Sequence, residues 1–371
     1  MPYYKKLFDE TSLSGEKKKR IAEKILLLRE ALDKQIPART LNSKLILATW
    51  NIREFDSSKG GERLIESFYY IAEIIDRFDL VAIQEVRENL KALNKLKEVL
   101  GSNWDYIYTD VTEGIGGNGE RMAFLFDRRK VKFDGLAGEV VNQPVRKKEG
   151  DKMVALPSVQ WVRSPFICGF KAGWTNFMLC TVHIYYGESK PEDSIRVQEI
   201  KQIAEFMKAK AEDAIELGNM QSIILMGDFN IFDKKDATFK ALTSTGFKVP
   251  AALAKDELTG SNVKKDKFYD QIVFLNRQGV FEFTNEAGIF DFYESVFKDG
   301  EEAIYEEHFV KKKPEATEEE SDGISLASKY KTWRTFQMSD HLPMWVEIRI
   351  DNTKEYLTKK AETVVPTPTP E

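Results

Sequence analysis

The chain has 371 residues, three histidines, two cysteines and a formal net charge of −5, with 42% hydrophobic and 12% aromatic residues. That length fits one large α/β domain or two smaller ones, and the apolar content supports a substantial core. The charge excludes a strongly basic, tight nucleic-acid binder, and no run nears the roughly 20 apolar residues that span a bilayer, so no membrane partner is expected. An enzyme that meets a polyanion through a few local cations and a metal ion stays open.

The first 20 residues are polar and lysine-rich, without the apolar stretch of a signal peptide, so a cytoplasmic protein is expected. Residues 17–34 read as an amphipathic helix on the domain's edge, with Ile21, Ile25, Leu28 and Leu32 at helical spacing and Pro37 after it. A strand at 44–49, a loop through Gly60 and Gly61, a helix at 62–77, a buried strand at 79–84 and a helix at 89–100 stopped by Gly101 follow. Strands are predicted at 104–109, 121–127, 158–163, 165–172 and 176–183, then a helix at 194–214 and strands at 222–226, 270–275 and 343–350. Strands that follow one another directly, mixed with strands separated by helices, argue for a mixed α/β (α+β) sandwich rather than a parallel sheet. Cys168 and Cys180 lie in apolar runs and read as buried free thiols rather than a disulfide.

Three segments read as loops or tails. Residues 146–152 are charged and contain glycine. Residues 298–323 are dense in Glu and Lys with few apolar anchors and read as a mobile insertion. The chain after Tyr356 ends in alternating prolines and reads as extended. The expected organisation is a helical extension over 1–43, a catalytic domain over 44–350 and a tail over 351–371.

Seven short polar strings sit at the ends of apolar, β-rich runs, where a sheet enzyme displays side chains at a cleft. They include Asn51-Ile52-Arg53, Gln84-Glu85-Val86-Arg87, Glu120-Arg121, Val182-His183, Gly227-Asp228-Phe229-Asn230, Tyr269-Asp270 and Ser339-Asp340-His341. Hydrolysis of a phosphodiester needs a divalent metal, an activated water and positive groups around the developing charge. Magnesium takes oxygen ligands and few protein carboxylates. Glu85, at the end of a buried strand, fits a salt bridge as well as a metal ligand, and Asn51 and Asp340 taken singly fit a turn and a loop. His183 and His341 both sit at strand ends beside carboxylates and amides, whereas His308 lies in the charged insertion and reads as solvated. A histidine base needs an acid to fix its tautomer. Glu120 and Asp270 are candidates, and the residues alone leave the pairing open.

This ordered set, spread over residues 44–350, resembles the endonuclease/exonuclease/phosphatase superfamily, and within it the deoxyribonuclease I branch. The resemblance implies a four-layer sandwich: two mostly antiparallel sheets face to face, helices outside, and a cleft at one end. It implies that Asn51, Glu85 and Asp340 bind metal. It pairs His183 with Glu120 and His341 with Asp270 as catalytic residues. Asp228 and Asn230 would orient water and hold the phosphate. Arg53, Arg87 and Arg163 would contact phosphate or nucleic acid. Asn118 stands where that branch has a stacking tyrosine, and its disulfide cysteines are missing. Phe268-Tyr269-Asp270-Gln271 departs from the inositol-phosphatase pattern.

The leading expectation is a monomeric phosphodiesterase using magnesium, or manganese in its place. It would act on nucleic acid as an endonuclease, on DNA ahead of RNA. Two alternatives stay open: a phosphatase or phospholipase-type hydrolase of a small or lipid phosphate ester, and a non-catalytic binding protein on the same fold.

Overall fold

The structure is a computed structural model. It describes residues 2–363 except 56, 58, 113–118, 143, 150–151, 157, 159, 217–221, 276–281 and 311–323. In chain order its helices and strands begin with α1 Lys5–Asp9, α2 Gly15–Gln35, β1 Lys44–Phe55, α3 Ile65–Ile75, β2 Leu80–Arg87, α4 Lys91–Leu100, β3 Trp104–Tyr108 and β4 Glu120–Asp127. Next come β5 Lys132–Glu139, β6 Val145–Glu149, β7 Lys152–Leu156, β8 Phe166–Ala172, β9 Thr175–His183, α5 Ser194–Glu216 and β10 Ser222–Asp228. The series ends with α6 Ala237–Thr243, β11 Asp270–Leu275, β12 Glu282–Ile289, α7 Glu302–Tyr305, α8 Leu326–Gln337, β13 Met344–Arg349 and α9 Thr353–Thr363.

Alternation along the strands sets the layers. In β1, Leu45 and Leu47 enter one core, while Ile46, Ala48, Trp50 and Ile52 enter another. Successive strand side chains point to opposite faces, so an uninterrupted apolar run means a sheet covered on both sides. One sheet runs β12-β13-β1-β2-β4-β3 and the other β11-β10-β9-β8-β5. Between them lies a core of Leu80, Phe124, Phe170, Phe177, Ile224 and Val346, among others. Outside the first sheet, α2, α3 and α4 share a core with Trp50 and Ile83. Outside the second, Ile200, Ile203 and Met207 of α5 pack on Met178, Cys180 and Leu225. These are the four layers of the sandwich. Cys168 lies in the inter-sheet core and Cys180 in the outer one, both as free thiols. No helix among the described residues is long and apolar enough to cross a membrane.

The N-terminal segment is no separate module. Leu7, Ile21, Ile25, Leu28, Leu32 and Ile36 are buried in the same core as β1 and α3. Ser14 caps α2, accepting from Lys17 N at 3.2 Å. Burying each of those aliphatic side chains is worth roughly 1.5–3 kcal/mol, so the extension helps hold the outer layer.

Several elements differ from the sequence reading. The described residues of 158–163 form no strand; Trp161 instead packs edge-on to Phe206 of α5, with ring centroids 6.2 Å apart. The strand at this edge is β5, which is exposed throughout and shifts register between Phe133 and Ala137. An exposed, bulged edge strand with two glycines carries no alternation to read. β12, the far edge of the other sheet, is bulged in the same way. The charged segment expected as a loop is largely the paired strands β6 and β7. Residues 353–363 are helical, not extended, and the proline-containing end lies outside the described residues.

The first half of the expected mobile insertion is anchored. Tyr305 is buried, with Phe297 4.9 Å and Trp333 5.4 Å away between centroids, and Asp299 pairs with Arg334 at 2.7 Å and Lys331 at 2.9 Å. Two aromatic anchors outweigh the polar composition that suggested mobility. His308, expected to be solvated, stacks on Trp333 at 5.9 Å. The rest of that insertion, 311–323, lies outside the described residues.

Candidate functional site

Strand register brings the polar strand ends together. In the second sheet Asp228 is level with His183 of β9 on one side and with Asp270 of β11 on the other. Gly227 makes this row possible. Its φ is +140°, and a Cβ there would meet Val182 O at 2.2 Å, so a side chain is excluded where β10 presses on β9. In the first sheet Asn51 is level with Gln84, and Arg87 with Glu120. Below the site, Gln84 Nε2 donates to Thr181 Oγ1 at 2.9 Å, tying the two sheets together.

The backbone here is strained. Glu54, Glu85 and Asn230 adopt φ of +49°, +61° and +51°. Left-handed non-glycine residues cost about 1–3 kcal/mol each and persist only where the surroundings impose them. At Glu85 the strain accompanies a register shift between Ile83 and Val86 in the β2–β4 ladder. Glu85 Oε2 then accepts from Glu54 N at 2.7 Å.

Two histidines converge on one carboxylate oxygen. His183 Nε2 and His341 Nε2 each lie 3.6 Å from Asp228 Oδ2. Each ring is backed on its other nitrogen by a second acid. His183 Nδ1 lies 2.9 Å from Glu120 Oε2, and His341 Nδ1 shares a 2.8 Å hydrogen bond with Asp270 Oδ2. Ser261 Oγ donates to the same Asp270 oxygen at 2.7 Å, and Ser339 Oγ accepts from His341 N at 3.0 Å. Burial opposes ionisation of Asp228, but His341, His183 and a hydrogen bond from Asn51 hold its pKa below the usual range. Burial likewise disfavours an imidazolium at His341, and there Asp270 and Asp228 prevail and raise its pKa well above 6.5. Asn230 N donates to Asp228 Oδ1 at 2.9 Å, and its Nδ2 to Ile184 O at 2.8 Å, fixing the β10 end.

Asn51 links this row to Glu85. Its Nδ2 donates to Glu85 Oε1 at 3.0 Å and to Asp228 Oδ2 at 2.9 Å. Its Oδ1 is buried and accepts no hydrogen bond from the described residues. Burial raises the pKa of Glu85, and nearby Glu120 and Asp340 add to the rise against the pull of His183. An orphaned amide oxygen beside a destabilised carboxylate suits a hard divalent cation, which would satisfy both. Among the described residues no group of three or more His, Cys, Asp or Glu side chains is placed to hold a metal ion, so a cation here would rest on Asn51 and Glu85 with other oxygens.

Asp340 stands apart from that pair. Its side chain is 42% exposed and lies 3.5 Å from Arg53 Nη1. Arg53 also donates to Thr335 Oγ1 at 2.5 Å and sits 4.0 Å over the Phe336 ring. Arg87 pairs with Glu54 and approaches Glu120 at 3.8 Å. Arg163 is 7% exposed, with its Nε 2.9 Å from Glu120 Oε2. Asn118 lies outside the described residues. The sequence reading missed Glu54 and Ser261. Neither sits in a pattern that marks it, because a lone loop acid and a lone serine are common anywhere.

The Glu120 cluster has a pH signature. Burial raises its pKa, yet His183, Arg163 and Arg87 bring it down to about 2 from 4.5. A depressed carboxyl stabilises the fold above the unfolded value and loses that contribution as pH falls from 4.5 towards 2. At 1.36 kcal/mol per unit this amounts to roughly 3 kcal/mol. Glu120→Gln is therefore expected to be much less stable than wild type in urea at pH 6, with the gap shrinking by pH 3. An equal gap at both pH values would show that the cluster is not linked to folding in this way.

Residues 48–351 match the family model of the Endonuclease/Exonuclease/phosphatase family. Deoxyribonuclease-1 of Bos taurus is 30% identical over 197 residues, 51% of this chain and 62% of that protein. Deoxyribonuclease-1 of Equus caballus is 28% identical over 188 residues, 50% of this chain and 60% of that one. The chain thus spans about 60% of the length of these curated relatives. Among solved structures, the mannosyl-6-phosphatase Bt3783 of Bacteroides thetaiotaomicron superposes with a TM-score of 0.52 at 19% identity, over 82% of this chain and 99% of that one. At that identity the likeness is one of fold.

Proposed function

The chain belongs to the Endonuclease/Exonuclease/phosphatase family, and on that premise we propose that it is a divalent-metal-dependent phosphodiesterase that cuts nucleic acid internally, DNA in preference to RNA. The observation that carries the reading is the convergence of two acid-backed histidines on Asp228 Oδ2, beside the orphaned Asn51 oxygen. Similarity to deoxyribonuclease-1 supports the choice of nucleic acid.

In this reading Asn51 and Glu85 would hold magnesium, or manganese in its place, with Asp340 at the rim of the same group. The bound metal would supply Lewis-acid stabilisation of the phosphoryl oxygens. Asp228 stays ionised and accepts a proton of the attacking water, holding it in line. Asn230 keeps Asp228 in place. The paired acids make Nδ1–H the donor on each ring, so both Nε2 atoms face the cleft. His341, held protonated by Asp270, donates from Nε2 to a phosphoryl oxygen. His183, braced by Glu120, serves the leaving oxygen or a second phosphoryl oxygen. Arg163 and Arg87 position Glu120, and Arg53 lies at the rim where the nucleic acid would continue.

The test is supercoiled plasmid and a panel of phosphomonoesters, each with magnesium and with chelator. Nicking that needs metal is expected. Phosphate release without nicking would replace this reading with that of a phosphatase. Silence in both assays across magnesium and manganese would make the chain a binding protein.

A further inference from the structure

The segment joining β5 to β8 carries a feature that the catalytic groups do not use. β5 ends beside the start of β8, with Glu139 level with Phe166, and Val140 N donates to Pro165 O at 2.8 Å. Pro165 is two residues from Arg163, which contacts Glu120. The β6–β7 ribbon therefore leaves the sheet at its catalytic end. Five residues per strand give it a length of about 17 Å.

The ribbon's two faces differ. Register places Arg146 opposite Ala155 and Lys148 opposite Met153, so these four share a face. The other face holds Lys147 and the directly opposed pair Glu149 and Lys152, which offset one another. Arg146, Lys148, Met153 and Ala155 are all exposed, Met153 to 64%. Neither Arg146 nor Lys148 has an ion-pair partner among the described residues. The chain as a whole is acidic, yet among the described residues this face presents two cations and an exposed thioether and no acid. Lysines on a ribbon can serve only to discourage edge-to-edge pairing. That role would not need a face whose described residues carry no acid, nor a protruding methionine.

We infer that the Arg146–Lys148–Met153 face of the β6–β7 ribbon docks on duplex nucleic acid beyond the cut phosphate. Spacing suits the partner. A two-stranded ribbon fits a duplex groove, two cations two residues apart reach backbone phosphates, and methionine is a side chain used to wedge at a base step. The inference rests on the nucleic-acid reading of the active site.

The experiment uses the full chain and a fluorescently labelled duplex of about two helical turns in EDTA, so that binding is read without cutting. Anisotropy titrations across potassium chloride give the dependence of log K on log salt. R146Q/K148Q is expected to flatten the slope by about two units, near 0.9 for each phosphate no longer neutralised. It should raise KM for plasmid and leave hydrolysis of bis(p-nitrophenyl) phosphate unchanged. K132Q/K171Q removes the same charge from the opposite end of the β5–β8 pair and should leave the slope as in wild type. If wild type nicks plasmid while R146Q/K148Q keeps the wild-type slope, or both double variants flatten it equally, the ribbon has no docking role and the hydrolase reading stands. A wild-type chain that neither binds nor cuts duplex overturns both.

Discussion

Glu85→Gln is expected to lower kcat/KM on nucleic acid by roughly 10³-fold while leaving the fold intact, because a metal's stabilisation of transition-state charge is worth several kcal/mol. The substitution keeps the shape of the side chain and an acceptor for Glu54 N, and removes the charge that a cation would meet together with the second acceptor, to which Asn51 Nδ2 donates. The sharper readout is thermal. Saturating magnesium, at about 100 times its Kd, should stabilise wild type by about 2.7 kcal/mol. The Gln variant should show no such rise. Without metal its stability should stay close to that of wild type, since relief of a buried carboxylate is offset by loss of the hydrogen bond from Asn51 Nδ2. A magnesium-dependent rise in Tm equal to that of wild type would remove Glu85 from the metal-binding group.

The second large effect concerns the histidines. His183→Ala and His341→Ala are each expected to reduce kcat by about 10² or more, the usual worth of a positioned acid–base group. Because both Nε2 atoms face the same Asp228 oxygen, the double variant should lose less than the product of the singles. His308→Ala should leave kcat unchanged, since its ring packs on Trp333 away from the other two. His341 also predicts a direction with pH. Its folded pKa is raised above 6.5, so its ion pair with Asp270 stabilises the fold fully below that value and less as pH rises through the folded pKa. The loss of stability on His341→Gln, measured in urea, should be greatest near pH 6 and smallest near pH 9. A loss that grows with pH would mean that the ring is buried neutral.

Much of the interior was legible because it is written in local pattern. The apolar runs before Asn51, Glu85 and Asp228 require strands covered on both faces, and the 3.6-residue spacing of Ile21, Ile25, Leu28 and Leu32 requires a helix packed along one side. Edge elements were not legible. β5 is exposed, both β5 and β12 are bulged, and bulges break the two-residue period that identifies a strand. The segment at 298–310 was misread because composition counts charges, whereas anchoring needed only Tyr305 and Phe309 against Trp333.

The sequence by itself placed the polar side chains at strand ends, since that follows from where each apolar run stops. Their partners are a tertiary matter. Glu120 begins β4 in one sheet and His183 ends β9 in the other, so their 2.9 Å contact exists only because the two sheets pack face to face. The same packing buries Arg163 against Glu120. Asp340 stays at the rim beside Arg53, while its neighbour His341 is held inward by Asp270 and Ser339. Local sequence fixes which residues reach the end of a strand, and the register and stacking of strands far apart in the chain decide which of them meet.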